Sequence, residues 1–168
     1  MIVNRSFVAD AMLGTLAKWL RILGYDTLFD PALDDHQLVR LSRAENRVLL
    51  TRDQQLAQRP GLCVLMINCE ELEDQLFQVL EAFDLGSERA YSRCPICNEL
   101  LETMDRSAAQ ARVPAYVAQT HDAFRFCPAC ERVYWRGSHW QRMEKRIARL
   151  GDQHKGQEST ALHEESYT

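Results

Sequence analysis

Two cysteine pairs, Cys94-Pro-Ile-Cys97 and Cys127-Pro-Ala-Cys130, stand with 29 residues between them and constrain the chain more than any other feature. Each pair, on a tight turn, presents two thiolates, and two such knuckles complete a tetrahedral Zn²⁺ site. A segment of this kind has brief apolar runs and little core, so it needs a staple, and zinc supplies much of its folding energy. Thioredoxin-like redox use expects one pair, not two. Four thiolates leave no open coordination position, so Cys94, Cys97, Cys127 and Cys130 are read as ligands of a structural zinc. His121 and His139 are then surplus as ligands. Cys63 and Cys69 lie in or beside an apolar strand and read as small buried hydrophobes.

The chain ahead of the knuckles has a different pattern. An apolar run, residues 7–9, stops at Asp10, and helical spacing begins at once through Met12, Leu13, Leu16, Ala17, Trp19, Leu20 and Leu23. Gly24 is a suitable C-terminal stop. Further strands are expected over 26–29, 47–51 and 62–67, with helices opening at Asp34-Asp35, after Asp53, and over 70–83. Strand and helix alternate throughout, which describes a parallel α/β sheet with right-handed crossovers. The expected organisation is an α/β domain over 1–88, a zinc ribbon with a C-terminal helix over 89–150, and a disordered polar tail over 151–168.

Charge is divided along the same line. Residues 1–90 carry 9 Lys/Arg against 14 Asp/Glu, whereas residues 91–150 carry 10 against 6. An acidic part that holds cations and a basic part that meets phosphates fits this split. The net charge of −4 argues against non-specific coating of nucleic acid. Without a long apolar run or a signal-like N-terminus, a soluble cytoplasmic protein that does not enter membranes is expected.

Asp10, the Asp34/Asp35 pair and Asp53 each follow or flank a strand end. Parallel strands place their carboxyl ends on one edge, where ligands collect. Any one of these residues also serves as an ordinary helix cap. Together, carboxylates without a cation repel, so such a group suits Mg²⁺ or Mn²⁺ held through few protein oxygens and several waters. An ion of that kind activates water against a phosphodiester. Thr51 is placed to hold a water or a phosphate oxygen, and Arg21 and Arg52 to meet a substrate backbone. In the ribbon, Tyr134, Trp135, Arg136, His139 and Trp140 interleave aromatics with cations, as base stacking and phosphate contact require. Core packing for Tyr134 and Trp135 is the competing reading.

The stretches Phe7-Val-Ala-Asp10-Ala-Met-Leu-Gly-Thr-Leu-Ala-Lys-Trp-Leu-Arg21, Asp34-Asp35-His-Gln-Leu38 and Val48-Leu-Leu-Thr51-Arg-Asp53 resemble the PIN-like ribonuclease family named after the Mut-seven carboxyl-terminal domain. The ribbon resembles it too, in Ser92-Arg-Cys-Pro-Ile-Cys-Asn98, Val113-Pro114, Phe126-Cys-Pro-Ala-Cys130 and Val133-Tyr-Trp-Arg-Gly-Ser-His139. The resemblance implies a PIN-like nuclease domain fused to a zinc ribbon, acting on single-stranded or structured RNA with Mg²⁺ or Mn²⁺. It assigns Asp10, Asp35 and Asp53 to catalysis, with Asp34 as a neighbouring metal ligand, and leaves a fourth acid unplaced. A non-catalytic RNA-binding module and a zinc-held scaffold are the alternatives; a homodimer or a regulatory partner stays open.

Overall fold

A computed structural model of the chain describes residues 5–138 together with 141, 142, 144–146, 148 and 149. Four short strands, β1 (Phe7–Ala9), β2 (Thr27–Leu28), β3 (Val48–Thr51) and β4 (Val64–Met66), form a parallel sheet in the order β2-β1-β3-β4. Helices α1 (Gly14–Ile22), α2 (Asp35–Ala44), α3 (Gln54–Ala57) and α4 (Leu72–Phe83) alternate with the strands, as the sequence pattern requires. All three β1 residues are buried, which is what a central strand covered on both faces demands. Val8 and its register partner Leu49 point to one face and pack with Leu38 and Val39 of α2 and Leu56 of α3. Phe7, one residue away, points to the other, where it meets Tyr25 and Phe83 edge-on with ring centroids 6.3 and 5.6 Å apart.

The start of α1 departs from the expected helix. Asp10 opens a single 3-10 turn, Ala11–Leu13, closed by the Leu13 N–H on the Asp10 carbonyl. The tighter turn rotates Met12 outward, leaving it 68% exposed, while Leu13 stays buried. The helix proper begins at Gly14, where the Phe29 ring lies too close for a Cβ. At the other end Gly24 adopts φ +91°, as its place as a helix stop requires. A Cβ there would also run into the Arg89 carbonyl oxygen.

The chain divides into two units, Met1–Leu100 and Leu101–Thr168. The first unit includes the first knuckle, which bonds to the parallel sheet. The Asn98 side chain accepts from the Thr27 N–H at 3.1 Å and donates to Asp26 at 2.7 Å. Asp26 in turn receives both terminal nitrogens of Arg47, at 2.8 and 3.2 Å. Burial alone would raise the Asp26 carboxyl pKa; the hydrogen bonds from Arg47 and Asn98, with the charges of Arg47 and Arg93, outweigh it and hold the group below its ordinary value.

In the second unit β5 (Glu102–Met104), β6 (Phe124–Phe126) and β7 (Val133–Trp135) form an antiparallel sheet in that order. Two short helices, α5 (Arg106–Ala109) and α6 (Ala115–Thr120), help to cover it. Ala109, Val113, Val117, Ala118 and Phe124 make the core, with Met104, Val133 and Trp135 packed against it. The described residues between 141 and 149 are helical, in keeping with the expected C-terminal helix. Trp140 and the tail over 151–168 lie outside the described residues. Cys63, expected to be buried, is exposed ahead of the edge strand β4. Among the described residues no helix is long and apolar enough to cross a membrane.

Two outcomes follow from this packing. Gly24→Ala should cost more than about 1 kcal/mol, read by urea unfolding, because the position needs a left-handed backbone and has no room. A carboxylate with a lowered folded pKa contributes stability that is present above its unfolded value, about 3.9, and is lost as pH falls through the folded value. Asp26→Asn should therefore lower stability at neutral pH and flatten the acid limb of a stability-against-pH curve; an unchanged limb would contradict the pairing.

Candidate active site

The carboxyl ends of β1 and β3 lie side by side, in a register that pairs Ala9 with Leu50. The Asp10 N–H continues the ladder to the Leu50 carbonyl at 3.0 Å, which brings Asp10 beside Thr51. Thr51 is fully buried, and its hydroxyl donates to Asp10 Oδ2 at 2.8 Å. The Thr51 hydroxyl oxygen in turn accepts the Asp53 N–H at 3.0 Å. A hydroxyl has one proton, so the direction of this chain is set: Asp53 backbone to Thr51, Thr51 to Asp10. Asp10 Oδ1 takes the Ala11 N–H, and Asp53 Oδ1 caps α3 by accepting from Gln55 at 2.7 Å and Leu56 at 3.0 Å. Chain order reverses between β1 and β3, since β2 lies on one side of β1 and β3 on the other. Ligands of open α/β sheets bind in the crevice at that point.

Hydrogen bonding distinguishes the two members of the Asp34/Asp35 pair at the start of α2. Asp34 is the N-cap of α2 in a closed capping box: its carboxylate accepts the Gln37 N–H at 2.8 Å, and the Gln37 side chain accepts the Asp34 N–H at 2.9 Å. Asp35 is left exposed in the first turn. Because α2 follows β2 in a parallel crossover, that turn stands at the same carboxyl edge as Asp10 and Asp53. The three acids are nonetheless not drawn into one tight group. Among the described residues, the side chains close enough to share a metal ion are the four cysteines, not a trio of carboxylates.

Arg52, just before Asp53, is 30% exposed and reaches the exposed Glu70 at 3.9 Å, a contact too long and too wet to hold it firmly. Arg21 is a correction. Expected at a substrate backbone, it is 6% exposed, and its guanidinium bonds to the carbonyls of Thr27, Pro95 and Ile96. In the second unit Trp135 packs on the Phe124 core, as the packing alternative held. Tyr134 pairs across the strands with Arg125, on the opposite face. Arg136 is exposed and approaches Glu144 at 3.9 Å; His139 lies outside the described residues.

The sulfurs of Cys94, Cys97, Cys127 and Cys130 all lie within 4.8 Å of one another. A tetrahedral Zn–S₄ centre, with bonds near 2.3 Å, separates its sulfurs by about 3.8 Å, so the donor set fits zinc. Both knuckles are built alike. The N–H of the first cysteine bonds to a carbonyl five residues on, Cys94 to Glu99 at 2.8 Å and Cys127 to Arg132 at 2.9 Å. The residue after the second cysteine is left-handed in each, Asn98 with φ +72° and Glu131 with φ +54°. Asn98 is a structural participant the sequence reading passed over. Its signal was there, since Asn directly after a knuckle tolerates that backbone.

Comparison with protein-family models returns the Mut7-C RNAse domain over residues 5–147. No curated protein and no solved structure matches the chain. The matched span covers the parallel sheet with Asp10, Thr51 and Asp53 as well as both cysteine knuckles. The chain therefore belongs to the Mut7-C RNAse domain family, which suggests a ribonuclease-like function.

Proposed function

We propose that the chain is a metal-dependent, PIN-like ribonuclease of the cytoplasm, hydrolysing RNA phosphodiesters in the crevice between β1 and β3. The observation that carries this reading is the Asp10–Thr51–Asp53 chain of hydrogen bonds at the point where strand order reverses. Capping α3 engages Oδ1 of Asp53, one oxygen of its two, and Asp35 adds an exposed acid on the same edge. Acids set too far apart to share one inner shell suit Mg²⁺ or Mn²⁺, which keep several waters, with Asp10, Asp35 and Asp53 as the residues that would hold the hydrated ion and Asp34 beside them. When bound, the ion polarises the phosphodiester and makes water a nucleophile at neutral pH.

The protein's own part is orientation. The Ala11 N–H and the Thr51 hydroxyl each hold one oxygen of Asp10, so the carboxylate keeps one setting. Arg52 can leave the exposed Glu70 and turn to a phosphate beside Asp53. Arg136 and His139, in the basic 91–150 segment, meet single-stranded or looped RNA.

Asp10→Asn and Asp53→Asn should abolish cleavage of a labelled single-stranded RNA in Mn²⁺ while leaving the circular dichroism spectrum unchanged. Thr51→Val should slow cleavage roughly 10- to 100-fold, the usual effect of removing a group that orients a ligand. EDTA should stop cleavage by the wild type. Full activity in both aspartate variants would remove the catalytic claim, and binding without chelator-sensitive cleavage would establish the RNA-binding module instead.

A further inference from the structure

We propose that Arg21 is the outer-sphere counter-ion of the four-cysteine metal centre, a positioning residue through which metal loading orders the edge of the parallel sheet. Arg21 lies in the last turn of α1 and is almost wholly buried. Its Nη1 donates to the carbonyls of Pro95 at 3.3 Å and Ile96 at 2.9 Å, the two residues between Cys94 and Cys97. Its Nε donates to the Thr27 carbonyl at 2.8 Å. These partners are all neutral, and a buried guanidinium needs an anion. Asp26 already carries a two-pronged pair with Arg47.

The knuckle supplies the missing charge. Four thiolates around one Zn²⁺ leave a net charge of about −2 on the centre. Burial lowers the Arg21 pKa, and the interactions that oppose this are led by Cys94 and Cys97, with Asp26 after them. Hydrogen-bond donors and charge just outside the ligand shell hold ligands in place and tune the metal.

The same contacts bind the knuckle to β2, which is an edge strand of the sheet. Thr27 is engaged on both sides: its N–H goes to Asn98 and its carbonyl receives Arg21. Residues 95–98 therefore cover a strand edge that would otherwise present unpaired backbone groups. A metal that fixes Cys94 and Cys97 fixes this cover. The inference does not rest on the nuclease reading, because every readout below is made without RNA.

The full chain, loaded with Zn²⁺, is titrated against a chromophoric chelator and compared with Arg21→Gln and Arg21→Lys. Arg21→Gln, which keeps a donor and loses the charge, should weaken zinc retention roughly 10- to 100-fold. Arg21→Lys, which keeps the charge, should recover most of that loss. With Co²⁺ in place of Zn²⁺, the sulfur-to-cobalt charge-transfer band should move in Arg21→Gln and not in Arg21→Lys. Wild-type retention with an unmoved band in Arg21→Gln would overturn the proposal, as would equal losses in both variants. Should Arg21→Gln fail to fold, hydrogen exchange of the wild type decides. Withdrawal of zinc should raise exchange at the Thr27 amide, and unchanged protection there would overturn the coupling.

Discussion

The parallel pairing of β1 with β3 is the constraint on which the carboxyl edge of the sheet depends. Two strands of three and four residues leave little latitude: Phe7, Val8 and Ala9 must sit against Val48, Leu49 and Leu50, all buried. A slip of one residue would turn Val8 and Leu49 away from α2 and α3 and send the wrong side chains to each face. With the register held, the next residue on each strand has no choice of neighbour. Asp10 meets Thr51, and the Thr51 hydroxyl draws in the backbone of Asp53. Apolar burial sets the register, and the register sets the polar chemistry at the sheet's end.

Charge is handled differently in the two halves of that first unit. At the carboxyl edge the acids are only partly buried or exposed, so their charge carries little desolvation cost. Beneath the amino end of the sheet charge is more enclosed: partly buried Asp26 is paired with Arg47 and bonded to Asn98, and buried Arg21 donates to the carbonyls of the knuckle. Breaking a buried pair by removing one member leaves a stranded charge, a larger penalty than any exposed ion pair returns. The first knuckle belongs to the sheet unit for this reason, although its cysteines look in the sequence like the opening of a separate ribbon.

What the sequence made legible was periodic or chemically unambiguous. Alternating apolar runs and helical stripes specified the parallel sheet, and the paired Cys-x-x-Cys spacing specified the sulfur cluster. Met12 was misplaced because a helical stripe read from Asp10 ignores the 3-10 turn, whose three-residue repeat changes which side faces inward. Arg21 was misread for another reason. An arginine on a helix looks solvent-facing in one dimension, and its partners, Pro95 and Ile96, lie more than seventy residues away. Cys63 reads as buried from its apolar neighbours, yet it precedes an edge strand, where one side is open. The α5 and α6 helices were missed because four- and six-residue helices carry too few turns for a periodic signal.

Aspartate at the end of a parallel strand is a poor discriminator by itself, because each strand-to-helix turn selects a capping residue and Asp is among the best. Asp10, Asp34 and Asp53 all cap. They differ in what else the carboxylate meets. Asp34 closes a reciprocal box with Gln37, a self-contained solution to two backbone groups of one helix start. Asp10 uses one oxygen locally and gives the other to a buried hydroxyl on a neighbouring strand, so its position depends on tertiary structure. Asp53 is tied into that same hydroxyl through its backbone. A cap that needs another strand to orient it does more than a helix start requires, and that surplus separates Asp10 from Asp34, and from Asp53, whose carboxylate meets only its own helix.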